Sequence, residues 1–107
     1  MPGRFRFAAL VLALGSAFDV VGERRQVAFS IDTNAERMDE TIEVKVRNHK
    51  TEAVDVLVRE TLYRWTTSQI VETTHEYQRE DARTVHFPVT IPPDGEAVVR
   101  YRVRYSW

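Results

Sequence analysis

The chain contains no cysteine, so no disulfide framework holds it and no thiolate carries chemistry. That absence fits the cytosol and the periplasm alike. It has only four glycines, and none opens a Gly-rich loop ahead of a helical pattern, which excludes a phosphate cradle. No apolar run approaches the roughly 18 residues of a membrane-spanning helix. Charge of neither sign prevails: 15 Lys and Arg face 16 Asp and Glu, for a formal net charge of -1. A nucleic-acid partner is therefore not expected. Sustained apolar spacing of 3.6 residues is missing as well, and with it the signature of amphipathic helices.

What is present is alternation. At 107 residues, 43% hydrophobic and 29% charged, the chain has the length and composition of one globular domain. A chain of that size buries roughly 60–70% of its unfolded surface. Residues 83–105 carry the clearest signal. Val85, Phe87, Val89 and Ile91 share one face of a run, and Ala97, Val99, Tyr101, Val103 and Tyr105 share one face of the next. Between them, Pro92-Pro93-Asp94-Gly95 reads as a turn, Pro presetting φ and Gly accepting a positive one. A hairpin is expected there.

Upstream, residues 24–31 alternate, with Arg25, Val27, Phe29 and Ile31 on one side and Gln26, Ala28 and Ser30 on the other. Asp32-Thr33-Asn34 reads as a turn. Residues 38–47 point Ile42, Val44 and Val46 inward and Glu43, Lys45 and Arg47 outward. Residues 53–62 answer with Val54, Val56 and Val58 inward and Asp55 and Arg59 outward. These two runs are expected to pair as a hairpin, opposite charges meeting on the solvated face. Residues 65–73 read as a strand with Trp65 as a core anchor, and 75–82 as a polar loop. The sum is an all-β chain of six or seven strands, expected to form an immunoglobulin-like or fibronectin-like antiparallel β-sandwich over residues 1–107, with 24–107 as its body.

Residues 1–23 admit two readings. Arg4 and Arg6 precede the apolar run 7–14, and Gly15-Ser16-Ala17 supplies small residues, the outline of a secretory leader. The same run has the length of a buried first strand, and periodicity does not separate the two. A leader at 1–17 implies the bacterial envelope or periplasm, and a strand implies the cytoplasm.

Candidate chemistry is sparse. His49, His75 and His86 are not spaced as a metal pair, and no Cys completes a zinc set. They read as solvated or turn residues. His75, Glu76 and Asp81 share the 75–82 loop, where a carboxylate-bearing site is the functional alternative to an ordinary polar loop. The serines lack a nucleophile elbow. The distinctive polar feature is Arg100, Arg102 and Arg104 on the outward face of the last run. Cross-strand neutralisation by Glu43, Asp55 or Glu60 explains it, as does protection of an edge strand. An anionic partner surface is the functional reading.

Several segments resemble the bacterial family called domain of unknown function 4139. They are 14–26 (Leu-Gly-Ser-Ala-Phe-Asp-Val-Val-Gly-Glu-Arg-Arg-Gln), 46–56 (Val-Arg-Asn-His-Lys-Thr-Glu-Ala-Val-Asp-Val) and 81–85 (Asp-Ala-Arg-Thr-Val). The closing 91–96 (Ile-Pro-Pro-Asp-Gly-Glu) and 101–105 (Tyr-Arg-Val-Arg-Tyr) also resemble that family's C-terminal end. The resemblance implies a β-sandwich module at the end of longer chains and carries over no catalytic residue. This chain departs from the family in lacking its long N-terminal part. The expectation is a non-catalytic interaction or structural module without a cofactor, whose partner is a protein: an upstream domain or a second copy. The alternative is an accessory module that binds an anionic surface or glycan through Arg100, Arg102 and Arg104.

Overall fold

A computed structural model describes residues 4–6, 10–13, 20–62 and 67–107, the first two segments by their backbone alone. Nine strands run in order: β1 (Arg4–Arg6), β2 (Leu10–Ala13), β3 (Val20–Asp32), β4 (Arg37–Asn48), β5 (Val54–Thr61), β6 (Thr67–Thr73), β7 (Gln78–Arg79), β8 (Thr84–Ile91) and β9 (Glu96–Ser106). They form two antiparallel sheets, a five-stranded one in the order β1-β3-β4-β9-β6 and a four-stranded one in the order β2-β5-β8-β7. The described residues include no helix. Gly15-Ser16-Ala17 and Trp65 lie outside the described residues, as do 7–9 and 14 of the first apolar run.

The core lies between the sheets and comes from the alternation itself. Ile42, Val44 and Val46 of β4, with Val99, Tyr101, Val103 and Tyr105 of β9, face Val54, Val56 and Val58 of β5 and Val85, Phe87, Val89 and Ile91 of β8. The Phe87 and Tyr101 rings stack across the interface, centroids 5.3 Å apart, an arrangement that adds to their burial.

Two expected hairpins are corners instead. β4 pairs with β3 and β9, and β5 pairs with β2 and β8, so the runs 38–47 and 53–62 face each other from opposite sheets. β8 and β9 are likewise divided by the turn at 92–95. Among the described strands only β3–β4 and β7–β8 pair with their immediate successors. Two one-sided strands on a short link satisfy alternation equally well side by side or face to face. Here a buried polar contact bridges the two corners.

Asn48 is that contact. It is fully buried at the end of β4. Its Nδ2 reaches the carbonyls of Glu52 (2.9 Å), Pro92 (3.1 Å) and Ile91 (3.3 Å), and its Oδ1 accepts from Lys50 N at 2.9 Å. Its backbone N donates to Gly95 O at 2.8 Å, while Asp94 N donates to Lys50 O at 2.9 Å. One side chain thus ties the β4–β5 corner to the β8–β9 corner. In the second corner the positive φ belongs to Asp94 (48°) rather than to Gly95. Gly95 is there for closeness: a Cβ on it would lie 2.7 Å from Pro92 Cγ.

The alternation of residues 24–31 is also broken. The β3–β4 register shifts between Gln26 and Ala28, leaving Val27 as a bulge. An extra residue moves the following side chains to the other face. Arg25, in register with Glu43, faces outward, whereas Phe29 and Ile31, in register with Glu40 and Met38, share the inner face. β3 and β4 have 13 and 12 residues and β5 and β8 have 8 each. At about 3.3 Å per residue, the first sheet overhangs the second. Phe29 (47% exposed) and Ile31 (55%) sit on that overhang.

Candidate functional site

The arginine ladder lies on β9 between β4 and β6, in the interior of its sheet. Edge protection therefore does not account for it. Its three members differ. Arg104 grips Asp39 bidentately, Nε to Oδ1 at 2.9 Å and Nη2 to Oδ2 at 3.0 Å. The hydrogen bond from Arg104 holds the Asp39 carboxyl below its usual range. Arg102 meets Glu72 of β6 at 3.0 Å, and its Nε lies 3.9 Å from Asp39, an ion-pair distance too long for a hydrogen bond. Arg100 stands in register with Glu43, but Glu43 engages Arg25 on its other side at 3.3 Å. The neutralising carboxylates are Asp39 and Glu72 rather than Glu43, Asp55 or Glu60. Asp55 lies in the four-stranded sheet, where it accepts from its neighbour Thr90 at 2.6 Å.

Glu60 has a different role. It continues the inward phase of Val54, Val56 and Val58, and it is 1% exposed between the sheets. Tyr101 Oη donates to its Oε1 at 2.5 Å, and Arg24 Nε donates to the same oxygen at 2.9 Å. Beside them Gln26 Nε2 donates to Glu40 Oε2 at 2.5 Å. Burial pushes the Glu60 carboxyl up, although Arg24 and the Tyr101 hydrogen bond pull the other way. Burial and the Glu60 charge push the Tyr101 phenol well up. Burial alone would lower the Arg24 guanidinium, but the Glu60 carboxylate outweighs it and holds Arg24 above its ordinary value. Pattern reading took Glu60 for a partner of the arginine ladder and passed over Arg24. The available signal was their phase: Glu60 shares the parity of three buried valines, and the bulge after Gln26 hides the parity of Arg24.

The histidines stay in separate surroundings. His49 is exposed in the β4–β5 connection. His86, on the outer face of β8, meets Glu80 through Nδ1 at 2.8 Å and Gln78 through Nε2 at 3.2 Å, and Arg59 Nε donates to the same Glu80 oxygen at 3.0 Å. His75 lines an open depression of about 580 Å³ with Glu76, Tyr77 and Pro88. Its Nδ1 is 2.8 Å from Thr74 Oγ1. Asp81 does not join that depression. It accepts from Arg83 N at 2.8 Å in its own turn, a bond that lowers its carboxyl. Among the described residues no three His, Asp or Glu side chains gather in the manner of a metal site.

No protein-family model matches this chain, and no curated protein shows significant similarity to it.

Proposed function

We propose that the chain is a non-catalytic interaction or structural module of immunoglobulin-like architecture, the C-terminal β-sandwich of the longer bacterial proteins it resembles through the segments quoted above. The observation that carries the reading is the position of Glu60. A carboxyl shifted upward by burial is the kind of group that serves as a catalytic acid when it lines a cleft. Here it lies 1% exposed between two sheets, held by Arg24 and Tyr101. It ties the sheets together, and its burial supports a structural role. Asp39, Glu72, Arg102 and Arg104 are engaged in the same manner across strands of one sheet.

The test is a screen of the wild-type chain and Glu60→Gln against ester, phosphoester and glycoside substrates, with thermal unfolding of both. The expected result is no turnover above buffer in either chain and a lower midpoint for the variant. Turnover that disappears in a variant of unchanged midpoint overturns the reading.

A second reading keeps Arg100. Its side chain is exposed beside Thr74, whose hydroxyl accepts from Arg100 N at 2.9 Å and whose N donates to Arg100 O at 2.9 Å. A shallow depression there joins Arg100 and Arg102 with Thr41, Thr73 and Glu72; Glu72 engages Arg102, and Arg100 is the cation offered to an anionic group. Arg100→Ser should then shorten retention on a heparin-type resin more than Arg104→Ser, since Arg104 is occupied by Asp39. Equal retention for all three chains sinks this second reading.

A further inference from the structure

Among the described residues no strand lies along the far edge of β3 where its apolar side chains are exposed. Among the described residues β1 pairs with β3 only at Glu23, Arg24 and Arg25, although β3 continues to Asp32. Past the bulge, residues 28–32 run in unbroken register against 37–41 of β4 on one side. No described strand lies along their other side. An edge strand left with unpaired N–H and C=O groups is a template for another strand. Natural edges are usually blunted by Lys, Pro, inward-pointing charge or a bulge, and the bulge here, at Val27, precedes the regular stretch. Residues 28–32 read Ala-Phe-Ser-Ile-Asp, with neither Lys nor Pro, and their charge is at the end. Phe29 and Ile31 are 47% and 55% exposed on the inner face, next to partly buried Met38.

We propose that this edge pairs with the same edge of a second copy of the chain, antiparallel about a two-fold axis through Ser30. The sequence of the edge argues for that occupant. Directly opposed residues in an antiparallel pair share a face. Centring on Ser30 uses all five regular residues and keeps inner against inner and outer against outer. Phe29 of one copy then lies opposite Ile31 of the other, twice, forming aromatic–β-branched pairs of the kind that stabilise sheets. Ser30 opposes Ser30, and Asp32 opposes Ala28, so no like charges meet. The result is one continuous sheet of both five-stranded sheets, its two overhangs covering each other's exposed apolar side chains. Such a contact is small, and a dimer with Kd on the order of ten micromolar is expected.

This inference rests on the reading of the chain as an interaction module and names its partner. The two fail separately: a monomer would remove the dimer but leave the Glu60 screen untouched, and turnover would remove the module reading but leave the dimer.

Sedimentation equilibrium of the full chain over a concentration series is the first measurement, and a concentration-dependent dimer is expected. Two variants then address the edge. Phe29→Thr with Ile31→Thr removes exposed apolar groups and should weaken association about a hundredfold. Ser30→Lys sets like charges opposite each other in the dimer, and within its own chain it lies in register with Asp39, so the monomer keeps its fold. Association should weaken about fivefold. Mixing Ser30→Lys with Ser30→Glu should restore it, because only the pairing centred on Ser30 brings those two positions together. A chain that stays monomeric to about 1 mM, or a dimer indifferent to all of these substitutions, overturns the proposal.

Discussion

At the scale of single residues, the most consequential interaction is the one between Arg24 and Glu60. Both lie between the sheets and share one oxygen with Tyr101 Oη. Removing one partner of a buried pair leaves the other charge uncompensated, and Arg24→Met should cost about 3 kcal/mol, measured by urea unfolding. Replacing both, as in Arg24→Met with Glu60→Leu, should cost less than the single change, since apolar groups of similar volume often substitute well for a buried pair. The pH dependence has a definite sign. Glu60 titrates above its ordinary value in the fold because burial disfavours its charge. Between the ordinary value and the raised one the folded chain holds a proton that the unfolded chain has released, so stability falls as pH rises through that window and is level on either side. Glu60→Gln removes the titration. The stability of the wild type relative to Glu60→Gln should therefore fall with rising pH across the window. A rise would mean that the Arg24 charge, rather than burial, governs Glu60.

At the scale of elements, the corners join the two sheets. β4–β5 and β8–β9 change sheets through short connections, and Asn48 binds both. Asn48→Ala leaves buried backbone groups without partners and should cost about 2 kcal/mol. Asn48→Asp should cost more, because its carboxylate would face the carbonyls of Glu52, Ile91 and Pro92. Comparing the two unfolding free energies checks the geometry, and equal costs would show that the carbonyl contacts contribute nothing. The bulge at Val27 acts on the other end of the sheet. By shifting phase it turns Phe29 and Ile31 to the inner face, beyond the reach of the shorter second sheet.

At the scale of the whole molecule, the pairing is non-local. β4 pairs with β9 and β5 with β8, joining segments far apart in the chain. Loop closure comes before these contacts form, so folding on a time scale of milliseconds to seconds is expected in stopped-flow refolding. Microsecond folding would contradict the topology. In amide exchange, the central strands β4, β5, β8 and β9 should be protected longest. The two-residue β7, exposed at Gln78 and Arg79, should exchange among the first.

Much of the fold was legible before the tertiary structure. The inward sets of β4, β5, β8 and β9 follow from period two, because a one-sided strand shows its buried face as alternation. Only the tertiary structure decided which strand lies beside which. Alternation records which face is buried and carries no record of the neighbour, so two corners read as hairpins. It also decided what each charge does. Arg100, Arg102 and Arg104 look equivalent in sequence, but Arg104 is locked to Asp39, Arg102 is shared between Glu72 and Asp39, and the carboxylate opposite Arg100 turns to Arg25. Glu60 looked like a surface partner for that ladder and instead lies in the interior with Arg24. Charge pairing depends on distances of a few ångströms between residues remote in sequence, and composition and periodicity contain no such distances. The bulge is the same lesson on one strand: a single unpaired residue, visible only in the β3–β4 register, reversed the face of every residue after it.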